Sequence, residues 1–186
     1  MIKKIVILTI LIFIFHLCSA PNLSDILKES QKKYVISEMK RWAWEKEFNR
    51  WKEDLGFKES GGDWTKYNKI GCIGTYQFRV ATLECLGFKG ITFNKFKTNP
   101  EIFSPELQEE ALRALIRANE LALKQFEQYI GQTIGGVLIT RSGLLAAAHL
   151  GGIGGVKKFL ENNKNPLDSN GTSIGDYLQK FHRYNI

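Results

Sequence analysis

A single glutamate stands at the start of a segment rich in glycine and aromatic residues, FKESGGDWTKYNKIGCIGTYQF, at residues 57–78. Glu59 is followed by a serine and two glycines, and the segment has no carboxylate after Asp63. A carboxylic acid that donates a proton near neutral pH needs a raised pKa, and burial provides this because desolvation penalises the charged form. Aromatic walls and glycine-rich backbone also suit a polysaccharide. We therefore expect Glu59 to be a proton donor at the edge of a sugar-binding groove, with a solvated glutamate before a glycine turn as the structural alternative.

The elements that must position Glu59 are predicted to be helical. Residues 22–55 have helical periodicity, and the length of this stretch favours a break into two helices. Trp51 is expected to pack in the core. The glycine pair after Glu59 ends the helix that carries it, and residues 63–78 are expected to form a loop or a short hairpin.

The rest of the chain is predicted from caps and turn residues. Ser104 caps a long helix that has Pro105 at its first position. We expect the buried stripe of this helix to consist of Leu107, Ala111, Leu115, Ala118 and Leu121. The predicted elements after residue 78 are, in order, a helix over 79–87, a loop over 88–103, the helix over 104–130, a helix capped by Ser142, a loop over 162–173 and a helix over 174–184. No alternating strand series or internal repeat occurs, so the fold class is mainly α.

The first twenty residues differ in kind from the rest of the chain. Lys3 and Lys4 precede an apolar run over residues 5–17, which ends before Cys18-Ser19-Ala20. This arrangement is typical of a secretory signal, and the run is too short for a membrane span, which needs about 20 apolar residues. Pro21 disfavours cleavage after residue 20. We expect export to the periplasm or the extracellular space, with no stable membrane span unless the signal stays uncleaved.

The net charge of the chain limits the classes of partner that it is expected to bind. The formal charge is +7, and loss of residues 1–20 removes two lysines and no acids, which leaves +5. A basic exported protein has wall polymers, membrane surfaces or nucleic acid as anionic partners. The basic residues form no long block interleaved with aromatics, so no nucleic acid is expected. We expect a charged helical extension over residues 21–45, a compact domain over residues 46–186 and a monomer.

Cysteines and possible metal ligands are few. Cys72 and Cys85 remain after the signal, and both a disulfide and two separate thiols are open. His149 and His182 have no zinc-site spacing. The segment DSNGTSIGD at residues 168–176 matches only part of a calcium-binding loop, so a loop that caps the last helix is favoured. No metal ion or other cofactor is expected.

Three segments resemble the ordered motifs of the lytic transglycosylases and their goose-type lysozyme relatives: ESGGDW, GCIGTYQF and LLAAAHLGGIGGVKKFL. The resemblance covers roughly residues 45–184, nearly all of the chain after the signal. It implies a lysozyme-like helical domain with a small loop or hairpin lobe beside the groove. It also implies cleavage of the β-1,4 bond between MurNAc and GlcNAc in the glycan strands of peptidoglycan.

The resemblance carries over to single residues. Glu59 matches the catalytic acid of the family, and the predicted substrate-binding residues are Ser60, Trp64, Gly74, Tyr76, Gln77, His149 and Tyr177. His149 and Leu150 depart from the family, which has tyrosine and asparagine at these places. A histidine could position Glu59 through a hydrogen bond, carry a charge that favours the ionised carboxylate, or simply pack between helices.

The number of carboxylates separates the possible activities. A pair of acids is the usual glycosidase arrangement, and no acid occurs between Trp64 and Leu83, where hydrolytic relatives keep an aspartate. The resemblance therefore implies a lytic transglycosylase, in which Glu59 acts first as acid and then as base and leaves 1,6-anhydroMurNAc ends. A hydrolytic muramidase acting on the same bond is one alternative, and a non-catalytic peptidoglycan-binding protein is the other.

Overall fold

The computed structural model describes residues 22–168 and 171–186. The signal predicted over residues 1–20 lies outside them. The helices are α1 (Leu23–Ser60), α2 (Val80–Cys85), α3 (Phe93–Thr98), α4 (Pro105–Leu123), α5 (Arg141–Asn162) and α6 (Ile174–Phe181), with 3₁₀ turns at Pro100–Phe103 and Lys124–Tyr129. Two antiparallel pairs of two-residue strands complete the fold: β1 (Cys72–Ile73) with β2 (Phe78–Arg79), and β3 (Thr133–Ile134) with β4 (Val137–Leu138). The prediction of a mainly α fold is confirmed.

The chain divides into two units, Met1–Ala43 and Trp44–Ile186. In the first unit, the described residues form an exposed stretch of α1 with local ion pairs such as Lys28 with Asp25, at 3.7 Å. Across residues 22–168 and 171–186, no helix combines the length and the apolar character that a membrane crossing needs.

Helix α1 is continuous, so the predicted break into two helices is wrong. The sequence from Leu23 to Leu55 contains no proline or glycine, the residues that most often interrupt a helix. In the second unit, the last turns of α1 contribute Phe48, Trp51 and Leu55 to the core. The indole N–H of Trp51 donates to the Ser142 carbonyl at 3.2 Å, and the predicted core position of Trp51 is confirmed.

Helix α4 begins as predicted but turns a different face inward. Ser104 accepts a backbone N–H of the first turn, and Pro105 takes the first position. Ala118 and Leu121 are exposed, which makes that part of the predicted stripe wrong. The side chain of Gln108 is drawn inside by backbone partners outside the helix, which rotates the buried face. That face consists of Gln108, Ala111, Leu112, Ile116, Asn119 and Leu123.

Two further predictions need correction. The segment 88–103 is not a loop, because Thr92 caps α3 and the apolar Phe96 and Phe103 anchor the segment in the core. The cap of α5 is Thr140 rather than Ser142. The hydroxyl of Thr140 accepts the N–H of the third residue beyond it, at 3.2 Å. The helices predicted over 79–87 and 174–184 are confirmed as α2 and α6.

The predicted hairpin is confirmed by the β1–β2 pair, in which Cys72 faces Arg79. Cys72 is buried, Cys85 is exposed, and both are free thiols. In the loop before α6, Asp168 accepts the N–H of Thr172 at 2.7 Å, so its carboxylate helps to form the turn. Within the described residues no group of three potential ligands could hold a metal ion.

Candidate active site

A cleft of about 690 Å³ lies beside the β1–β2 hairpin in the second unit. Its lining comes from the end of α1, the hairpin, the start of α2, α4, α5 and the loop that leads into α6. Glu59, Gln77 and His149 all line it. Three predicted site residues that are far apart in the sequence therefore share one concave surface.

Glu59 enters the cleft because α1 ends directly after it. Gly61 and Gly62 both have positive φ, of 75° and 83°, a conformation that glycine adopts at little cost. Their N–H groups donate to the carbonyls of Phe57 and Gly56, which closes the last turn. The side chain of Glu59 is only 15% exposed. The glycine turn therefore presents a largely buried carboxyl group at a helix end.

Tyr177 on α6 is the hydrogen-bond partner of that carboxyl group. Its hydroxyl donates to Oε1 of Glu59. Burial, and then the negative charge of Glu59, raise the pKa of Tyr177, so the hydroxyl stays protonated and remains a donor. The contact engages Oε1 and leaves Oε2 of Glu59 without a hydrogen bond among the described residues.

His149 lies beside Glu59 without a hydrogen bond to it. Its Nε2 is 2.8 Å from the carbonyl oxygen of Tyr76 and 3.8 Å from Oε1 of Glu59. Because a carbonyl can only accept, Nε2 carries a proton and donates to Tyr76. The side chain is 6% exposed, and Nδ1 is buried with no hydrogen-bond partner among the described residues. The predicted positioning of Glu59 by hydrogen bond is made by Tyr177 and not by His149.

The loop of the hairpin is held in shape by its own polar contacts. Gln77 has a φ of 49°, and its Nε2 donates to the carbonyl of Gly74 at 2.8 Å. Gly74 has a φ of 78°, and a Cβ there would lie 2.6 Å from Oε1 of Gln108. Gly74 therefore allows the loop to pack closely against Gln108, while Gln77 lines the cleft.

Five of the predicted substrate-binding residues do not line the cleft: Ser60, Trp64, Gly74, Tyr76 and Tyr177, whose hydroxyl is bonded to Glu59. The hydroxyl of Ser60 donates to the carbonyl of Gly56 at 3.1 Å, which occupies it within the helix end. The hydroxyl of Tyr76 donates to Glu109 at 2.5 Å, on the buried side of the hairpin. The predicted aromatic wall is also different, since Trp64 lies outside the lining and Phe57 is 71% exposed.

The apolar lining includes Phe78, at the end of the segment 57–78, and residues from later helices, namely Leu115, Ala148, Leu150 and Ile174. Sequence reasoning also missed several polar lining residues, which are Arg79, Thr82, Asn119 and Lys158. Asn119 had a readable signal, because it recurs with the helical period of the buried face of α4. Its Nδ2 is buried and, together with Nδ1 of His149, has no partner within the described part of the chain.

The cleft contains two carboxylates and two cations. Glu59 is bonded by Tyr177, and Asp168 by the backbone of Thr172. The two cations, Arg79 and Lys158, form no ion pair in the described ranges. This arrangement places the carboxyl group of Glu59 in a largely buried position, beside cations that have no ion pair among the described residues.

No protein-family model, curated protein or solved structure matches the chain. The resemblance to lytic transglycosylases therefore stays a prediction, and the chemistry of the cleft has to be argued from its own residues.

Proposed function

We propose that this protein is an exported lytic transglycosylase that cleaves the β-1,4 bond between MurNAc and GlcNAc in peptidoglycan. The observation that carries the proposal is the position of Glu59. Its carboxyl group is 15% exposed, lies in a cleft of about 690 Å³ and accepts a hydrogen bond from a buried tyrosine. The signal-like residues 1–20 would bring the chain to the compartment that contains this substrate.

In the first step, Glu59 donates its proton to the glycosidic oxygen as the bond from that oxygen to C1 of MurNAc breaks. The acetamido group of the same sugar stabilises the cationic C1, so the site needs no second carboxylate as nucleophile. The hydrogen bond from Tyr177 to Oε1 supports this role, because it leaves Oε2 free to carry the proton.

In the second step, the ionised Glu59 takes the proton from the C6 hydroxyl of MurNAc, and O6 closes on C1. The proton returns to Glu59, the anhydro ring forms, and no water is consumed. The raised pKa of Tyr177 keeps its hydroxyl available as donor to the carboxylate that exists between the two steps. General acid–base help of this kind is worth about 100- to 10,000-fold in rate.

His149 and Tyr76 support the hairpin side of the cleft. The imidazole of His149 joins α5 to the hairpin through the carbonyl of Tyr76, and its ring lies edge-on to Phe78 at 5.9 Å between centroids. The Tyr76 hydroxyl is fixed by Glu109. Together these contacts would hold Gln77 at a constant place relative to Glu59 when a glycan strand enters.

A hydrolytic muramidase is the second candidate, and Asp168 is the observation that favours it. Asp168 lines the same cleft as Glu59, and a second carboxylate is what a glycosidase needs to activate water. Its carboxylate already accepts the N–H of Thr172. We prefer transglycosylation because this hydrogen bond gives Asp168 a structural role in its own loop.

Digestion of purified peptidoglycan sacculi in ¹⁸O-labelled water tests the proposal and separates the two activities. We expect soluble fragments whose new ends carry no ¹⁸O, and unchanged products from Asp168→Asn. Glu59→Gln should release nothing, while the control Glu53→Gln, an exposed position on the same helix, should act like the wild type.

Labelled reducing ends that require Asp168 would establish the hydrolase instead. Sedimentation with sacculi without any release would indicate a binding protein.

A further inference from the structure

The cleft contains hydrogen-bond donors that have no acceptor among residues 22–168 and 171–186. The geometry points to a subsite in which Arg79, Thr82 and Asn119 bind a carboxylate carried by the glycan strand. This inference rests on the proposed function, because it names a group on the substrate of the same cleft.

Asn119 is the buried member of the set. The residue is 8% exposed, and its Nδ2 has no hydrogen-bond partner among the described residues. A buried amide donor without an acceptor is unfavourable, and such groups in folded proteins call for an explanation such as a ligand. Since Asn119 lines the cleft, a substrate oxygen is the acceptor that the structure offers.

Arg79 and Thr82 supply donors at the junction of β2 and α2. Arg79 directly precedes α2 and makes no capping contact with its side chain. Its exposed guanidinium forms no ion pair, and the hydroxyl of Thr82 forms no hydrogen bond, within the described residues. Both residues line the cleft, so their donors are open to a ligand that fills it.

Charge then decides between a neutral and an anionic ligand. The two carboxylates of the cleft are engaged by Tyr177 and Thr172, whereas Arg79 and Lys158 have no anionic partner in the part of the chain that the structure describes. A guanidinium beside neutral donors matches a carboxylate, which accepts hydrogen bonds on both oxygens. Glycan strands of peptidoglycan carry such groups as the free lactyl carboxylate of MurNAc or as carboxylates of the stem peptide.

The test measures binding by the full chain with Glu59→Gln, which holds the substrate without cleaving it. The probes are a neutral chitin oligosaccharide, glycan strands stripped of peptides, and strands with stem peptides. We expect Arg79→Gln and Asn119→Leu to weaken binding of the carboxylate-bearing strands about 5- to 20-fold. Binding of the chitin oligosaccharide should change less than about twofold, within the usual scatter of a surface substitution.

Three comparisons sharpen this test. Arg79→Lys keeps the charge and should recover part of the affinity. Arg117→Gln removes an exposed arginine outside the cleft lining and should have no effect. Added salt should weaken binding of the acidic strands in the parent and much less in Arg79→Gln, because screening acts on the charge that this variant lacks. If only the strands stripped of peptides bind more tightly than the chitin oligosaccharide, the lactyl carboxylate is the ligand. If only the strands with stem peptides do so, a stem carboxylate is the ligand.

Equal affinity of the parent for neutral and acidic strands would overturn the subsite, as would an equal loss for both in Arg79→Gln. These results leave the proposed function intact if the wild type still cleaves sacculi. Conversely, carboxylate binding that depends on Arg79 in a protein that cleaves nothing supports the subsite and removes the proposed function. Because Arg79 is exposed, this variant is expected to fold even if Asn119→Leu does not.

Discussion

Two buried tyrosines each donate a hydrogen bond to a glutamate, and the surroundings of the two pairs differ. Tyr76 donates to Glu109, which is also ion-paired with Lys52, and that glutamate side chain is 35% exposed. Tyr177 donates to Glu59, which is 15% exposed and has the imidazole of His149 as its nearest basic group, at 3.8 Å.

The difference lies in what balances the carboxylate. A lysine ammonium stabilises Glu109 as an anion, so this pair ties α1 to α4 and to the hairpin. Within the described residues Glu59 forms no ion pair with a lysine or an arginine, and it lies in a cleft that a ligand can enter. The same two residue types therefore make a structural contact in one place and a candidate acid–base centre in the other.

The largest effect should come from neutralising the two glutamates in turn. Glu59→Gln should lower the rate of glycan cleavage about 100- to 10,000-fold, because the proton donor is lost. Glu109→Gln should leave the rate within a few-fold and lower the free energy of unfolding by about 1–3 kcal/mol, because Lys52 loses its partner. Product release from sacculi and chemical denaturation measure the two quantities. If Glu109→Gln reduces the rate as much as Glu59→Gln, the proposed difference between a structural and a catalytic glutamate is wrong.

The second test replaces each tyrosine by phenylalanine. Tyr177→Phe should lower kcat about 10- to 150-fold, since one hydrogen bond to a charged group typically contributes about 1.5–3 kcal/mol. KM should change little, because Tyr177 does not line the cleft. Tyr76→Phe should mainly lower stability. A pure KM effect in Tyr177→Phe would indicate that its hydroxyl contacts substrate instead of positioning Glu59.

The third test concerns the hairpin loop that contains Tyr76. Gly74→Ala should lower the free energy of unfolding by about 1–3 kcal/mol, because φ is positive and the new Cβ would overlap Gln108. Gly61→Ala is the matched control, since its φ is also positive but nothing lies within 4 Å of a Cβ there. Thermal unfolding of both variants gives the difference. Equal losses would mean that contact with Gln108 does not constrain the loop.

The smallest effect concerns how the free energy of unfolding falls at alkaline pH. Burial raises the pKa of both Tyr76 and Tyr177, with the neighbouring glutamate as the next cause. Each raised pKa stabilises the folded state. The contribution is fully present below the pKa of tyrosine in the unfolded state, about 10, and is lost as the pH rises toward the pKa in the folded state. Each phenylalanine variant should therefore reduce the fall in unfolding free energy above pH 10 by up to about 1.4 kcal/mol per pH unit. Parallel slopes in wild type and variants would contradict the raised values.

Local signals in the sequence predicted the features that depend on a few neighbouring residues. The glycine pair that ends α1 after Glu59 and the Ser104-Pro105 start of α4 are such cases. The helix α3 was missed, although a capping threonine precedes two phenylalanines at helical spacing.

Features that depend on distant partners could not be predicted in the same way. The inward turn of α4 is set by Gln108, whose amide bonds the backbone at Trp64, Phe103 and Thr75. Thr75 and Trp64 lie 33 and 44 residues from Gln108, too far for a local sequence pattern to indicate them. The same reason explains why Tyr76 was expected in the groove, since its partner Glu109 is 33 residues away.

The central claim is that Glu59 transfers a proton to and from a glycan strand without consuming water. Mass spectrometry of the fragments released from purified sacculi by wild type and Glu59→Gln tests it most directly. Anhydro ends from the wild type, and none from the variant at equal protein and equal fold, are the predicted result. Release that persists in Glu59→Gln, or no release by the wild type, would contradict the account.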